Sequence, residues 1–86
     1  AAEFGVSREE ILGESRVGHI VLARQVAMAL AQRLLGYSLP RIGRLMRRDH
    51  TTVLHGVRRI ARDVTRDPDF AARLDALADR IDSRRD

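Results

Sequence analysis

From Ile20 onward, apolar side chains recur at Ile20, Ala23, Ala27, Leu30 and Leu34, with Val21, Met28 and Leu35 widening the stripe. Steps of three and four residues are the period of an α-helix; a strand would alternate its faces at every second residue. The stripe stops at Gly36, the residue type that most readily follows a helix C-terminus. A long, well-buried helix is predicted here, and everything else in the fold must pack against it.

The remaining segments repeat the helical period. Val6-Ser7-Arg8-Glu9-Glu10-Ile11-Leu12 reads as a helix start, with Ser7 as cap and Glu10 completing a capping box, and Gly13 ends it. A loop over Glu14-Ser15-Arg16-Val17-Gly18-His19 follows. Ser38 caps a further short helix that tolerates Pro40 in its first turn and places Leu39, Ile42, Leu45 and Met46 on one face. A tight turn at Arg47-Arg48 leads to a helix on which Val53, Val57, Ile60 and Val64 step by about one turn. Asp67-Pro68 reads as the cap and first residue of a last helix, lined by Phe70, Leu74, Leu77 and Ile81. With no alternating pattern, repeat or low-complexity tract, the chain is expected to be all-α. The expected architecture is a compact helical domain with a helix-turn-helix unit over 1–66 and an extra amphipathic helix over 67–86 packed on it. Core packing is the preferred role for that last apolar face; self-association or a protein partner is the alternative.

Composition narrows the function. Eighty-six residues allow one small domain. Without cysteine there is no disulfide framework and no cysteine-ligated metal. No apolar run approaches the roughly 18–20 residues of a membrane-spanning helix, and no signal peptide is visible. The chain opens on Ala1 inside what reads as the end of a helix, so a piece of a longer protein is expected. All 16 basic residues are arginine. Residues 1–62 hold 11 of them against five acids, while residues 63–86 hold five against seven Asp. A GC-rich genome accounts for Arg in place of Lys, but not for acids gathered at one end. Basic charge concentrated in the body favours a polyanionic partner.

The stretch RRDHTTVLHGVRRI, residues 47–60, carries the sharpest signal. Two helices joined by a tight turn, the second starting polar and running basic, form a helix-turn-helix pattern, in which the start of the second helix meets base edges in the major groove. Asp49 can cap that helix and accept from a cytosine amino group, His50 can donate to purine acceptors, and the Thr51 methyl can pack on a thymine methyl. Thr52 and the free N–H groups of the first turn suit a phosphate. The bland alternative is a helix cap and nothing more, which leaves the flanking arginines unexplained.

The strings RQVAMALAQRL, SLPRIGRL and RDHTTVLHGVRRI, in that order, closely resemble the C-terminal DNA-binding domain of DnaA, the bacterial chromosomal replication initiator. The resemblance runs from about Ala1 to Ile60 or a little beyond and is weaker over the acidic last helix. It implies that Asp49, His50 and Thr51 read bases and that Leu39 and Pro40 touch a thymine methyl. It further implies that Arg16 enters the adjacent minor groove and that Arg24, Gln25, Ser38 and Thr52 hold phosphates. The implied target is a short box resembling TTATNCACA, and an A·T run with a narrow minor groove suits an arginine.

Three departures bear on the target. The turn reads Met46-Arg47-Arg48 where the family usually has an aromatic, two glycines and an Arg, so it is one residue shorter. Losing the glycines re-aims the recognition helix, or else the two arginines add phosphate contacts, with Arg58 farther along the helix as another. The loop around Arg16 is thinned by Glu14, Ser15 and Gly18, and Gln32 stands where Lys is common.

Other chemistry finds no support. His50 and His55 are five apart and point to different helical faces, a poor metal pair. No spacing pairs a nucleophile with a base, and there is no phosphate-binding GxxxxGK[ST] motif. No enzyme activity, cofactor or metal is therefore expected. The expected partner is double-stranded DNA in a bacterial cytoplasm, at the nucleoid, and not a membrane. The role is either origin recognition within a longer initiator that carries its ATPase elsewhere, or a stand-alone regulator of replication or transcription. The short turn and the Asp-rich last helix tilt toward the second.

Overall fold

Val53 and Ile60 lie two turns apart on one helix, yet each belongs to a different apolar cluster, and this division organises the fold. The computed structural model describes residues 8–13 and 18–84. Within them run α1 (Arg8–Leu12), α2 (Gly18–Leu35), α3 (Leu39–Met46), α4 (His50–Arg66) and α5 (Pro68–Arg84). Every element is helical, as the periodicity predicts. The first cluster joins Ile11 of α1, Ile20, Ala23 and Met28 of α2, Ile42 and Met46 of α3, and Val53 of α4. The second joins Val26 and Leu30 of α2, Ile60 of α4, and Leu74 and Ala78 of α5. The helices α2 and α4 pass through both clusters; α1 and α3 close one end and α5 the other.

Covered from more than one side, α2 does not bury a single stripe. Val26, which the count from Ile20 passes over, is almost wholly buried, whereas Ala27 and Leu34 are half-buried and Leu35 is exposed. The crossing with α4 is tight at Gly56, where a Cβ would stand 2.9 Å from Met28 Sδ and 3.1 Å from Gln25 Cγ. Side chains of the size of Ile60 or Met28 each contribute about 1.5–3 kcal/mol by leaving water, so sharing two helices between two clusters buries apolar surface on more than one side of each.

Most helix ends follow the sequence signals, except that α2 begins at Gly18, so Gly18 and His19, expected in the loop, form its first residues. Gly13 donates its N–H to Glu9 O at 2.9 Å just after α1, and Gly36 follows α2 at φ 67°. Asp67 caps α5 by accepting from the N–H groups of Asp69 (3.1 Å) and Phe70 (3.2 Å), with Pro68 in first position. The expected Ser7 cap, the Glu10 side chain and the loop residues 14–17 with Arg16 lie outside the described residues.

Two apolar expectations need correcting. Leu45 is not on the packed face of α3: it is 56% exposed, because this helix of eight residues buries only Ile42, Gly43 and Met46, with Leu39 partly packed beside them. Ile81 is also exposed, one turn beyond Ala78, the last buried residue of α5. Among the described residues no helix is long and apolar enough to cross a membrane.

Candidate nucleic-acid interface

The turn before α4 is built by backbone constraint. Only Arg47, Arg48 and Asp49 separate the end of α3 from His50, so the chain must change direction within three residues. Arg47 does this in the left-handed region (φ 58°, ψ 43°), a conformation that favours glycine and costs other residues about 1–2 kcal/mol. The Arg48 N–H then donates to Gly43 O at 2.8 Å. Arg48 O lies so close to Gly43 that a Cβ on that glycine would stand 2.5 Å away. Gly43 is thus the seat on which the turn rests.

Asp49 is extended (φ −63°, ψ 143°) and caps α4, its Oδ1 accepting the Thr51 N–H at 3.4 Å. The same oxygen lies 3.2 Å from His50 Nδ1. Both side chains are open to solvent, 68% exposed for Asp49 and 63% for His50, and Thr51 and Thr52 are exposed beside them. Directly behind stands Val53, 0% exposed. The first turn of α4 is therefore a polar, outward-facing tip on a fixed base, at the end of the helix where unpaired N–H groups and the macrodipole favour acceptors and anions.

Around this tip the expected residues divide. Ser38 caps α3, its Oγ accepting the Arg41 N–H at 3.3 Å. Pro40 is exposed, whereas Leu39 packs partly against the first cluster. Gln25 is half-buried under α4 and accepts from Arg59 Nη1 at 2.9 Å. With its oxygen so used, the Gln25 amide has its NH2 end left to donate, which is what a phosphate needs. Arg59 is tied further to Asp63, whose Oδ2 lies 3.7 Å from Nε. Arg47 and Arg58 are exposed.

Arg24 and Arg48, both expected at phosphates, are engaged with backbone carbonyls in this structure. Arg24 is 8% exposed and donates from Nε to Ile11 O (2.8 Å) and from Nη2 to Gly13 O (3.1 Å). Burial, and then the charge of Arg48, push its guanidinium below the ordinary arginine range. Arg48 is half-buried and donates from Nη1 to Met46 O (3.3 Å) and Arg47 O (3.1 Å), and from Nη2 to Gly13 O. Both arginines hold helix-terminal carbonyls, which a run of basic letters does not reveal. Sequence reasoning also missed Arg59 as the partner of Gln25, and Arg41, which lies 3.8 Å over the Tyr37 ring. No group of three or more His, Asp or Glu among the described residues is placed to hold a metal ion.

A family profile described as the bacterial dnaA protein helix-turn-helix matches residues 1–60. Among full-length relatives, the chromosomal replication initiator protein DnaA of Deinococcus radiodurans is 40% identical over 84 residues, covering 98% of this chain and 18% of that protein. Proteins of the same name from Lachnoclostridium phytofermentans (40% over 79 residues, 91% of this chain and 17% of the relative) and Rhodopseudomonas palustris strain HaA2 (46% over 78 residues, 90% and 16%) are similar over nearly the same span. The chain thus spans less than a fifth of the length of these relatives.

Proposed function

We propose that this chain, which belongs to the bacterial DnaA helix-turn-helix family, binds double-stranded DNA sequence-specifically by inserting the first turn of α4 into the major groove. The observation that carries the reading is the exposed Asp49-His50-Thr51-Thr52 tip seated on wholly buried Val53. Asp49 accepts from a cytosine amino group, His50 bonds a base edge and Thr51 offers its methyl to thymine, with Pro40 and the exposed part of Leu39 beside another thymine methyl. Arg47, Arg58, Ser38, Thr52 and the Gln25 amide line the backbone on either side, and Arg16 enters the minor groove.

The role that accords with the relatives' name is replication initiation in the bacterial cytoplasm, with this chain supplying the DNA address and other domains of a longer protein supplying the rest. Leu74 and Ala78 are buried in the second cluster with Phe70 and Leu77 packed against it, which supports a core role for α5 over a partner surface. A salt-titrated binding assay on a duplex carrying a TTATNCACA-like box, a scrambled duplex and anionic vesicles tests the reading. Preference for the box supports it, equal affinity for both duplexes removes base recognition, and preference for vesicles removes DNA.

A further inference from the structure

The arginine that precedes the cap of α4 is turned inward, and its contacts join two parts of the fold that are distant in sequence. Its Nη1 donates to Met46 O (3.3 Å) and Arg47 O (3.1 Å) at the end of α3, and its Nη2 donates to Gly13 O just beyond α1. These carbonyls sit at helix C-termini, where no further turn supplies an N–H and the partial charge is negative. A guanidinium, with five donors in a rigid planar fork, can hold several such oxygens at once. On the far side, Arg24 holds the same Gly13 oxygen at 3.1 Å and Ile11 O at 2.8 Å. A connected path therefore leads from α2 through Arg24 to the end of α1, and from there through Arg48 to the residue that caps α4.

We propose that Arg48 is a positioning residue for base recognition: by clamping the ends of α1 and α3 to one guanidinium, it fixes the angle and depth at which Asp49, His50 and Thr51 meet the groove. The inference rests on the reading that the first turn of α4 recognises bases. Its physical basis is the difference in tolerance between two kinds of contact. Base-edge hydrogen bonds are made only within a few tenths of an ångström and a narrow range of angles, whereas charge attraction to phosphates survives small displacements. The turn has no glycine of its own and rests its change of direction on Arg47 in the left-handed region. Releasing the Arg48 clamp lets the cap shift, which removes discrimination and leaves backbone attraction largely in place.

A phosphate-binding Arg48 makes the opposite forecast, and three variants separate the two. Arg48→Ala should lower the ratio of specific to scrambled affinity by about tenfold, the size of one lost bidentate base contact. Arg48→Gln keeps a planar amide donor without charge and should retain more of that ratio than Arg48→Lys, which keeps the charge but loses the fork. Each affinity is measured well below the variant's own melting temperature. Recovery by Lys and not by Gln, together with a salt slope flattened by about 0.9 on both duplexes, would make Arg48 a phosphate contact and overturn the proposal. An unchanged ratio in all three variants would overturn it equally. The DNA-free wild-type protein gives a measurement that no folding failure can spoil. Its Arg48 side chain should show separate, slowly exchanging guanidinium proton signals in nitrogen-edited NMR, and averaged, freely rotating signals would defeat the clamp. Absence of any box preference in the wild-type protein would instead defeat base reading, whatever the NMR of Arg48 shows.

Discussion

Arg24 of α2 and Arg48 of the turn before α4 donate to the same acceptor, the carbonyl oxygen of Gly13. Two like charges converging on one oxygen repel each other, and the lowered pKa of Arg24 reflects its burial first and Arg48 second. The arrangement persists because the oxygens it satisfies, Ile11 O among them, would otherwise lack these donors.

Arg24→Ala should accordingly be a stability variant. Leaving the buried Ile11 carbonyl without this donor, while Gly13 O keeps Arg48, costs about 1–3 kcal/mol, and each kcal/mol lowers the melting temperature of a domain this small by about 4–8 °C. At temperatures where the variant is folded, the slope of log affinity against log salt should match the wild type. A slope flattened by about 0.9 would return Arg24 to the phosphate contacts.

Arg47 makes a different forecast. Glycine is at ease at φ 58° and a β-branched residue is not. Arg47→Gly should leave the melting temperature unchanged or raised, and Arg47→Val should lower it by several degrees, a cost of about 1 kcal/mol. Calorimetry of the pair checks this, and equal melting temperatures would remove the argument for strain at the turn.

His50→Ala and Thr51→Ala should each cost about 1–3 kcal/mol on the preferred box and leave scrambled binding nearly intact. Both side chains are exposed and lie outside the two apolar clusters, so thermal stability should stay within about 0.5 kcal/mol. Equal losses on both duplexes would reduce the first turn of α4 to a cap.

Phosphate attraction should set overall affinity. With about five counterions released, log affinity should fall against log salt with a slope near −4 to −5. Arg58→Ala should weaken both duplexes alike and flatten that slope by about 0.9. Binding that ignores salt would defeat the electrostatic half of the proposed function.

In α5, Leu74→Ala should cost about 2–5 kcal/mol, since its side chain fills the second cluster. Ile81→Ala, at an exposed position, should cost less than about 1 kcal/mol. Thermal melting of the two variants checks this; loss of self-association on Leu74→Ala with an unmoved melting temperature would favour a partner surface instead.

The helices and their ends were legible because period and capping are local properties. Ser38, Asp49 and Asp67 each cap the helix that their position announced. Burial was less so: a single stripe counted from Ile20 cannot show that α2 is covered on two sides, and so misses Val26. The candidate site was legible in its exposed part, where Asp49, His50 and Thr51 stand at the start of α4. It was illegible where side-chain direction decides the matter. Arg47 and Arg48 are neighbours of one type, yet one is exposed and the other folds back onto three carbonyls. That outcome depends on Gly13, 35 residues away in the chain, and no local pattern carries it.

The seating of an exposed tip on buried Val53 separates two kinds of evolutionary freedom. Residues 50–52 contribute to neither apolar cluster, so under the proposed function exchanging them should change which duplex is chosen without touching what keeps the chain folded. Asp49 is less free, because a substitution there also removes a helix cap worth about 1 kcal/mol. On that proposal a lineage should be able to reach a new binding site by single steps at positions 50 and 51, each step passing through a stable protein. Change at Val53 or Gly43 offers no such route, since it alters the seat before it alters the reader.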